Sequence, residues 1–323
     1  MKLKNIFFTG LIAVTGLSGC DEVANPIKSK QIIGILPTTP PSDTNSSKNP
    51  NVYKMLLEDC TGHLCTNCPL AATDAEAVLR SSFGNQVILM EDNVGFDAIP
   101  QDTVNGCRLG AFLTDYRCVA GNNWCTDFNM NSVGFPYGMT NREGAEIGHS
   151  TFVLYNNYYD SCNTLVTIRN TTPAVTIDIH DSVWTSPRIM GATFKLNFLK
   201  TLSGGSYLLE TCIVEDSIED WQDDNGVFDS TYMKRYTLRG SFDLNGNGVT
   251  IPVTTAGTTW TSFQTYNFAT GENGKAGGTS NSKPWNIANC YIVAFVYSSG
   301  ENTNNPWEIV QAEMIKIAPH LYP

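Results

Sequence analysis

The chain is poor in positive charge: its 323 residues hold 20 Lys and Arg against 31 Asp and Glu, a formal charge of −11. That balance excludes the clustered basic surface that nucleic-acid binding requires. It argues equally against electrostatic docking on anionic lipid. Histidine is scarce too. His149, His180 and His320 are scattered and form no triad, and no Gly-x-Ser-x-Gly elbow, phosphate loop or internal repeat is present. Past the amino terminus, no stretch reaches the ~20 apolar residues needed to span a bilayer.

The amino terminus itself is distinctive. Lys2 and Lys4 precede an apolar run from Ile6 to Leu17, which ends in Leu17-Ser18-Gly19-Cys20. Residues 1–19 read as a signal peptide, with small residues before the cysteine forming a lipobox. The pattern resembles the bacterial lipoprotein class, in which the cysteine, here Cys20, is acylated and becomes the first residue. Cleavage there removes two lysines and takes the formal charge from −11 to −13. Asp21-Glu22 resembles the acidic signals that send such lipoproteins to the cell surface. Residues 20–50, with Pro37, Pro40, Pro41 and Pro50 among Ser, Thr and Asn, read as the lipid anchor and a flexible tether. The chain is thereby expected at the outer membrane, anchored to it and facing the periplasm or the exterior.

The remaining cysteines are Cys60, Cys65, Cys68, Cys107, Cys118, Cys125, Cys162, Cys212 and Cys290. Nine in an oxidising compartment imply several disulfides and an odd thiol. Cys118 and Cys125 flank Gly121-Asn122-Asn123 and are candidates for a small staple. Cys212 and Cys290 lie in two of the most apolar runs and are candidates for a buried bridge.

The most informative stretch is Leu56-Leu57-Glu58-Asp59-Cys60-Thr61-Gly62-His63-Leu64-Cys65-Thr66-Asn67-Cys68-Pro69. An apolar run reads as a strand over 52–58, and Ala71, Ala75, Val78 and Leu79 carry helical spacing over about 70–82. A Cys-x-x-Cys between strand and helix is the arrangement of thioredoxin-like folds. Cys65 is placed for a thiolate stabilised by a helix N-terminus, and Cys68 for a resolving thiol. A zinc site of Cys60, His63, Cys65 and Cys68 is the lesser alternative, because no second pair completes a tetrahedron. Asp243-Leu244-Asn245-Gly246-Asn247-Gly248 opens like a calcium loop. Thr254 stands where the closing Glu belongs, so a hairpin turn is the better reading. Neither metal nor cofactor is expected.

That string resembles the outer-membrane-protein-28 family of Bacteroidetes-type lipoproteins, whose N-terminal domain is thioredoxin-like. Gly134-Phe135-Pro136-Tyr137-Gly138-Met139-Thr140-Asn141-Arg142 resembles the same family's Pro-x-Gly-x-x-Asn-Arg segment. The resemblance implies that Pro136 is a cis-proline facing the Cys-x-x-Cys. Cys60 departs from the family's usual aromatic residue, and Tyr137 from a small hydroxyl residue.

The expected architecture is an α/β thioredoxin-like domain over 51–170 followed by an antiparallel β-sandwich over 171–323. Short strands are expected at about 174–180, 191–200, 206–215, 232–239, 259–268, 289–298 and 308–317. Two functions fit. One is a surface or envelope component that binds an envelope protein or a glycan, with Trp221, Trp260, Trp285 and Trp307 as sugar-contacting candidates. The other is an envelope thiol–disulfide oxidoreductase, in which Cys65 attacks, Cys68 resolves and Pro136 shapes the groove. Since only a thiol accepts the lipid, Cys20→Ala should leave an uncleaved precursor or a soluble protein. Fractionation with the outer membrane, as for the parent, would refute the anchor.

Overall fold

Apolar and β-branched residues alternate or run continuously through most of the chain, and strands dominate accordingly. The computed structural model describes residues 50–101, 111–143, 151–169, 172–184, 189–268, 283–299, 307–317 and 319–320. The signal peptide, Cys20, nearly all of the tether, Cys107, and Asn170 and Thr171 at the expected domain boundary lie outside them.

The chain begins with β1 (Met55–Thr61), the helix α1 (Cys68–Leu79) and β2 (Val87–Asn93). Then come α2 (Val119–Asp127), β3 (Tyr137–Thr140), β4 (Phe152–Leu154) and α3 (Tyr158–Arg169). Four longer strands follow: β5 (Val175–Trp184), β6 (Ile189–Phe198), β7 (Tyr207–Glu215) and β8 (Ile218–Asp224). Next are β9 (Val227–Lys234), β10 (Thr237–Ser241), the two-residue β11 (Val249–Thr250) and β12 (Thr259–Asn267). The last are β13 (Cys290–Ser298), β14 (Ile309–Lys316) and the short β15 (Pro319–His320).

This arrangement overturns the expected α/β thioredoxin-like domain followed by a β-sandwich. One nine-stranded mixed sheet runs β14-β13-β7-β10-β2-β1-β3-β4, with β11 added beside β7, so strands from both sides of residue 170 share it. The seam is β10 against β2, parallel, through Thr237 opposite Glu91. Beyond it β7, β13 and β14 pair antiparallel in turn. The sheet then returns on itself: Ala312 N–H donates to Lys54 O at 3.0 Å, and Ile309 N–H to Asn141 O at 2.9 Å. A four-stranded sheet, β12-β6-β5-β15, and the hairpin β8–β9 complete the body. Local periodicity finds the strands but not their partners, because the seam of β10 on β2 and the return of β14 join segments far apart in the chain.

Three apolar clusters fill the body. One lies between α1, α3 and the near face of β1 and β2, around Leu57, Val78, Leu89 and Leu165. A second lies on the other face of those strands, where α2 brings Trp124 against Leu56, Met90, Leu238 and Phe295. The third, between β5, β6, β7 and β13, holds Ile177, Phe194, Leu209 and Ile292.

Within the second cluster lies an ion pair withdrawn from water. Arg142 donates to both Glu58 carboxylate oxygens, at 2.6 and 2.9 Å, and both side chains are buried. The guanidinium carbon is 4.8 Å from the Trp124 ring centre and 5.1 Å from those of Phe128 and Phe295. Asn141 and Arg142 both adopt left-handed backbone, at φ 54° and 53°, a conformation held by its surroundings. Asn141 accepts from Leu56 N–H at 2.8 Å and donates to Tyr53 Oη at 2.6 Å. Removing one partner of such a pair strands a buried charge, so Arg142→Met should cost about 3–5 kcal/mol of stability. The double variant Glu58→Met with Arg142→Met should recover most of it. Urea unfolding measures both, and an additive double variant would contradict the pairing.

Candidate functional site

The site grows from the end of β1. Gly62 follows, and a Cβ there would meet the Asp97 backbone at 2.4 Å, so only glycine admits the close approach. Leu64 N–H donates to Asp97 O at 2.9 Å. The loop then turns so that Cys65 and Cys68 are 5.4 Å apart at Cα and joined as a disulfide. Cys68 opens α1, with Pro69 at a position where its missing N–H is tolerated. Pro136, preceded by a cis bond, is buried and leads into β3, whose Tyr137 lies opposite Cys60 on β1. Cys60 is an unbridged thiol, 3.5 Å from Met130 Sδ. Burial, with Asp92, Asp59 and Glu58 nearby, pushes that thiol well up.

The disulfide is covered. Cys65 is 5% and Cys68 2% exposed. The β8–β9 hairpin lies along the loop that carries the disulfide and strings hydrogen bonds to the Cys-x-x-Cys segment. Asp223 N–H donates to His63 O at 2.8 Å, and Asn225 N–H to Thr66 O at 2.9 Å. Gln222 Nε2 donates to Gly62 O and Cys65 O at 3.1 and 3.2 Å, and Thr66 Oγ1 to Asp223 Oδ2 at 3.4 Å. Lys234, on the hairpin's returning strand, steadies Gln222 through Nζ to Oε1 at 2.8 Å. His63 is buried beside them with Nε2 3.1 Å from Ile99 O, so that nitrogen carries the proton. Burial and Lys234 lower its pKa to about 4, and it is neutral at physiological pH.

Carboxylates lie beneath this loop and on the reverse of the sheet. Asp59 accepts from Tyr158 Oη at 2.7 Å, while its other oxygen has no hydrogen-bond partner. Burial raises Asp59 to about 7 and Asp92 and Glu210 to about 8. In the Glu91–Lys234 pair, burial raises the acid and lowers the amine.

Of the residues singled out in the sequence, Cys65 and Cys68 come together. The proposed bridges do not. Cys118 caps the N-terminus of α2, accepting from Gly121 N–H at 3.3 Å, and Cys125 lies in that helix. A step of seven positions along the helix puts them about 10 Å apart, beyond the reach of a disulfide. Cys212 is opposite Val293 and Cys290 opposite Glu215, three ladder positions apart. An odd offset places the two on opposite faces of the sheet, and they belong to different cores. All four are buried thiols. The Asp243 loop is a turn saturated from within: its carboxylate accepts from the N–H groups of Gly246, Asn247 and Gly248 at 2.8–2.9 Å. Trp285 is buried, and Trp221, Trp260 and Trp307 are half-buried. The hairpin along the disulfide loop went unread because Asp and Glu interrupt its alternation.

No family model and no curated protein matches the chain. Among solved structures it is similar to HBP35 of Porphyromonas gingivalis, with a TM-score of 0.56 at 13% identity, over 82% of this chain and 76% of that one. At that identity the likeness is one of fold. A domain of the outer membrane lipoprotein Omp28 from Porphyromonas gingivalis aligns over 46% of this chain and 93% of its own, at 17% identity. Its TM-score of 0.28 is too low to carry an argument.

The carboxylates set a pH dependence. An acid whose pKa is about 7–8 when folded and near 4 when unfolded holds extra protons in the folded state, so stability falls as pH rises through that window. His63 acts in the opposite sense, but only below its unfolded value near 6.5. The urea midpoint should therefore be lower at pH 8.5 than at 6.5, and Asp59→Asn should flatten the slope. A midpoint that rises over that interval would contradict the buried carboxylates.

Proposed function

We propose that the chain is a lipid-anchored outer-membrane lipoprotein related to the outer-membrane-protein-28 family, exposed at the cell surface. Its folded body serves as a binding component of the envelope, with a protein or glycan partner. The lipobox ending at Cys20 and the proline-rich tether support the anchor. The Leu-Leu-Glu-Asp and Pro-x-Gly-x-x-Asn-Arg segments support the family.

One observation favours binding over catalysis: the Cys65–Cys68 bond is buried, in a loop along which the β8–β9 hairpin lies. Thiol–disulfide exchange needs an incoming thiolate to approach a sulfur along the S–S axis, and burial withholds that approach. The bond then acts as a clasp for the loop on which the hairpin rests. The alternative, an oxidoreductase using Cys65, Cys68 and Pro136, requires the bond to be uncovered first. Measurement of the reduction potential of the pair separates the two. A clasp should lie below about −300 mV, whereas a value between about −120 and −270 mV would reverse the assignment.

A further inference from the structure

The strand β12 pairs with β6 along its whole length, from Thr259 opposite Asn197 to Asn267 opposite Ile189. It is the terminal strand of its sheet, and among the described residues no strand pairs with its other edge over 259–265. Phe198 N–H donates to Thr258 O at 3.0 Å, which sets the parity of the ladder. Even-numbered residues bond to β6, so Thr259, Thr261, Phe263 and Thr265 turn their N–H and C=O groups to the open edge. Their side chains share the solvent face. Phe263, at the midpoint of the strand, is 53% exposed.

Edge strands are ordinarily guarded by charge, proline, a bulge or a cover. Two other margins are guarded, and β4, at the end of the nine-stranded sheet, is only three residues long. β14 returns onto Lys54, just before the first strand, and the β8–β9 hairpin carries Glu219, Asp220, Asp223, Asp224 and Asp229. The sequence of β12, Thr-Trp-Thr-Ser-Phe-Gln-Thr-Tyr-Asn, has no charge, no proline and no glycine, and its residues favour extended backbone. In a chain of formal charge −11 this is a neutral, unguarded strip.

The strip is also its own complement. Reversed about Phe263, Thr261 falls on Thr265. We propose that β12 is a dimerisation edge, and that its partner is β12 of a second copy of this chain, running antiparallel about a two-fold axis at Phe263. The axis places Phe263 against the partner's Phe263, and Thr261 against the partner's Thr265, with backbone hydrogen bonds exchanged at each pair. Aromatic and Thr–Thr pairs are favourable directly across an antiparallel ladder. No carboxylate meets another, because the nearest charge in the ladder is Lys195, one strand in and opposite Thr261. A foreign strand would gain nothing from the reversal symmetry. A second copy requires it, as an isologous contact does.

The test uses the full chain, in mild detergent where lipidated. Phe263→Cys should form a covalent dimer under mild oxidation, because the residue on the axis faces itself. Thr261→Cys alone should form little, and Thr261→Cys mixed with Thr265→Cys should cross-link. Phe263→Lys, on an exposed position that leaves folding intact, should weaken the dimer seen by light scattering about tenfold or more through charge facing charge. A monomeric parent with no Phe263→Cys cross-link overturns the proposal, including the case in which another part of the chain covers the edge. So does a dimer that Phe263→Lys leaves unchanged, or a Thr261→Cys that cross-links to itself as well as Phe263→Cys does.

Discussion

The body depends on a guanidinium held out of water. Arg142 reaches from the end of β3 to Glu58 on β1, with rings from α2 and β13 around it. A charge in that position is tolerable only while every partner is present. Asn141 before it bonds to Leu56 in both directions, accepts from Ile309 of the last long strand and donates to Tyr53. Two residues thus tie the first strand, the third strand, α2 and the closing strand into one unit. Their left-handed backbone is the local cost of aiming both side chains inward.

The disulfide loop is held by a different logic. Its backbone carbonyls point away from the helix that follows, and the β8–β9 hairpin supplies the donors they need, through Asp223, Asn225 and Gln222. Gln222 can serve because Lys234 holds its oxygen, and Glu91 works to keep that amine protonated against the burial that lowers it. Backbone satisfaction at the loop is therefore coupled to buried charge two layers deeper.

Much of this was legible locally. The strands β5, β6, β7, β12, β13 and β14 lie within a few residues of their apolar runs, because alternation over a half-buried sheet is a short-range signal. α1 was legible from Ala71, Ala75 and Val78. The Asn-Arg pair stood out as a motif, yet nothing in its spacing told that its work is packing. The architecture was not legible. The parallel seam of β10 on β2 and the return of β14 onto Lys54 and Asn141 bring together segments that the change of periodicity assigned to two domains, and strand pairing across such separations leaves no local trace. The charged hairpin hid for the same reason in reverse: its residues are chosen for a polar loop beneath and solvent above. Cysteine count misled at Cys118, Cys125, Cys212 and Cys290, since a buried thiol packs as a small apolar side chain.

The return of β14 onto Lys54 has a bearing on biogenesis. Gln311 and Glu313 bond to residues more than 250 positions earlier, Val52 and Lys54. The segment that leads into the opening strand therefore waits for almost the last one. Were the chain exported as proposed above, its early half would cross with the second apolar cluster unfilled, because Val293, Phe295, Ile309 and Ala312 come last. Contacts this distant slow folding. In the exported lipoprotein proposed above, that delay would be a timing device written into the order of its strands.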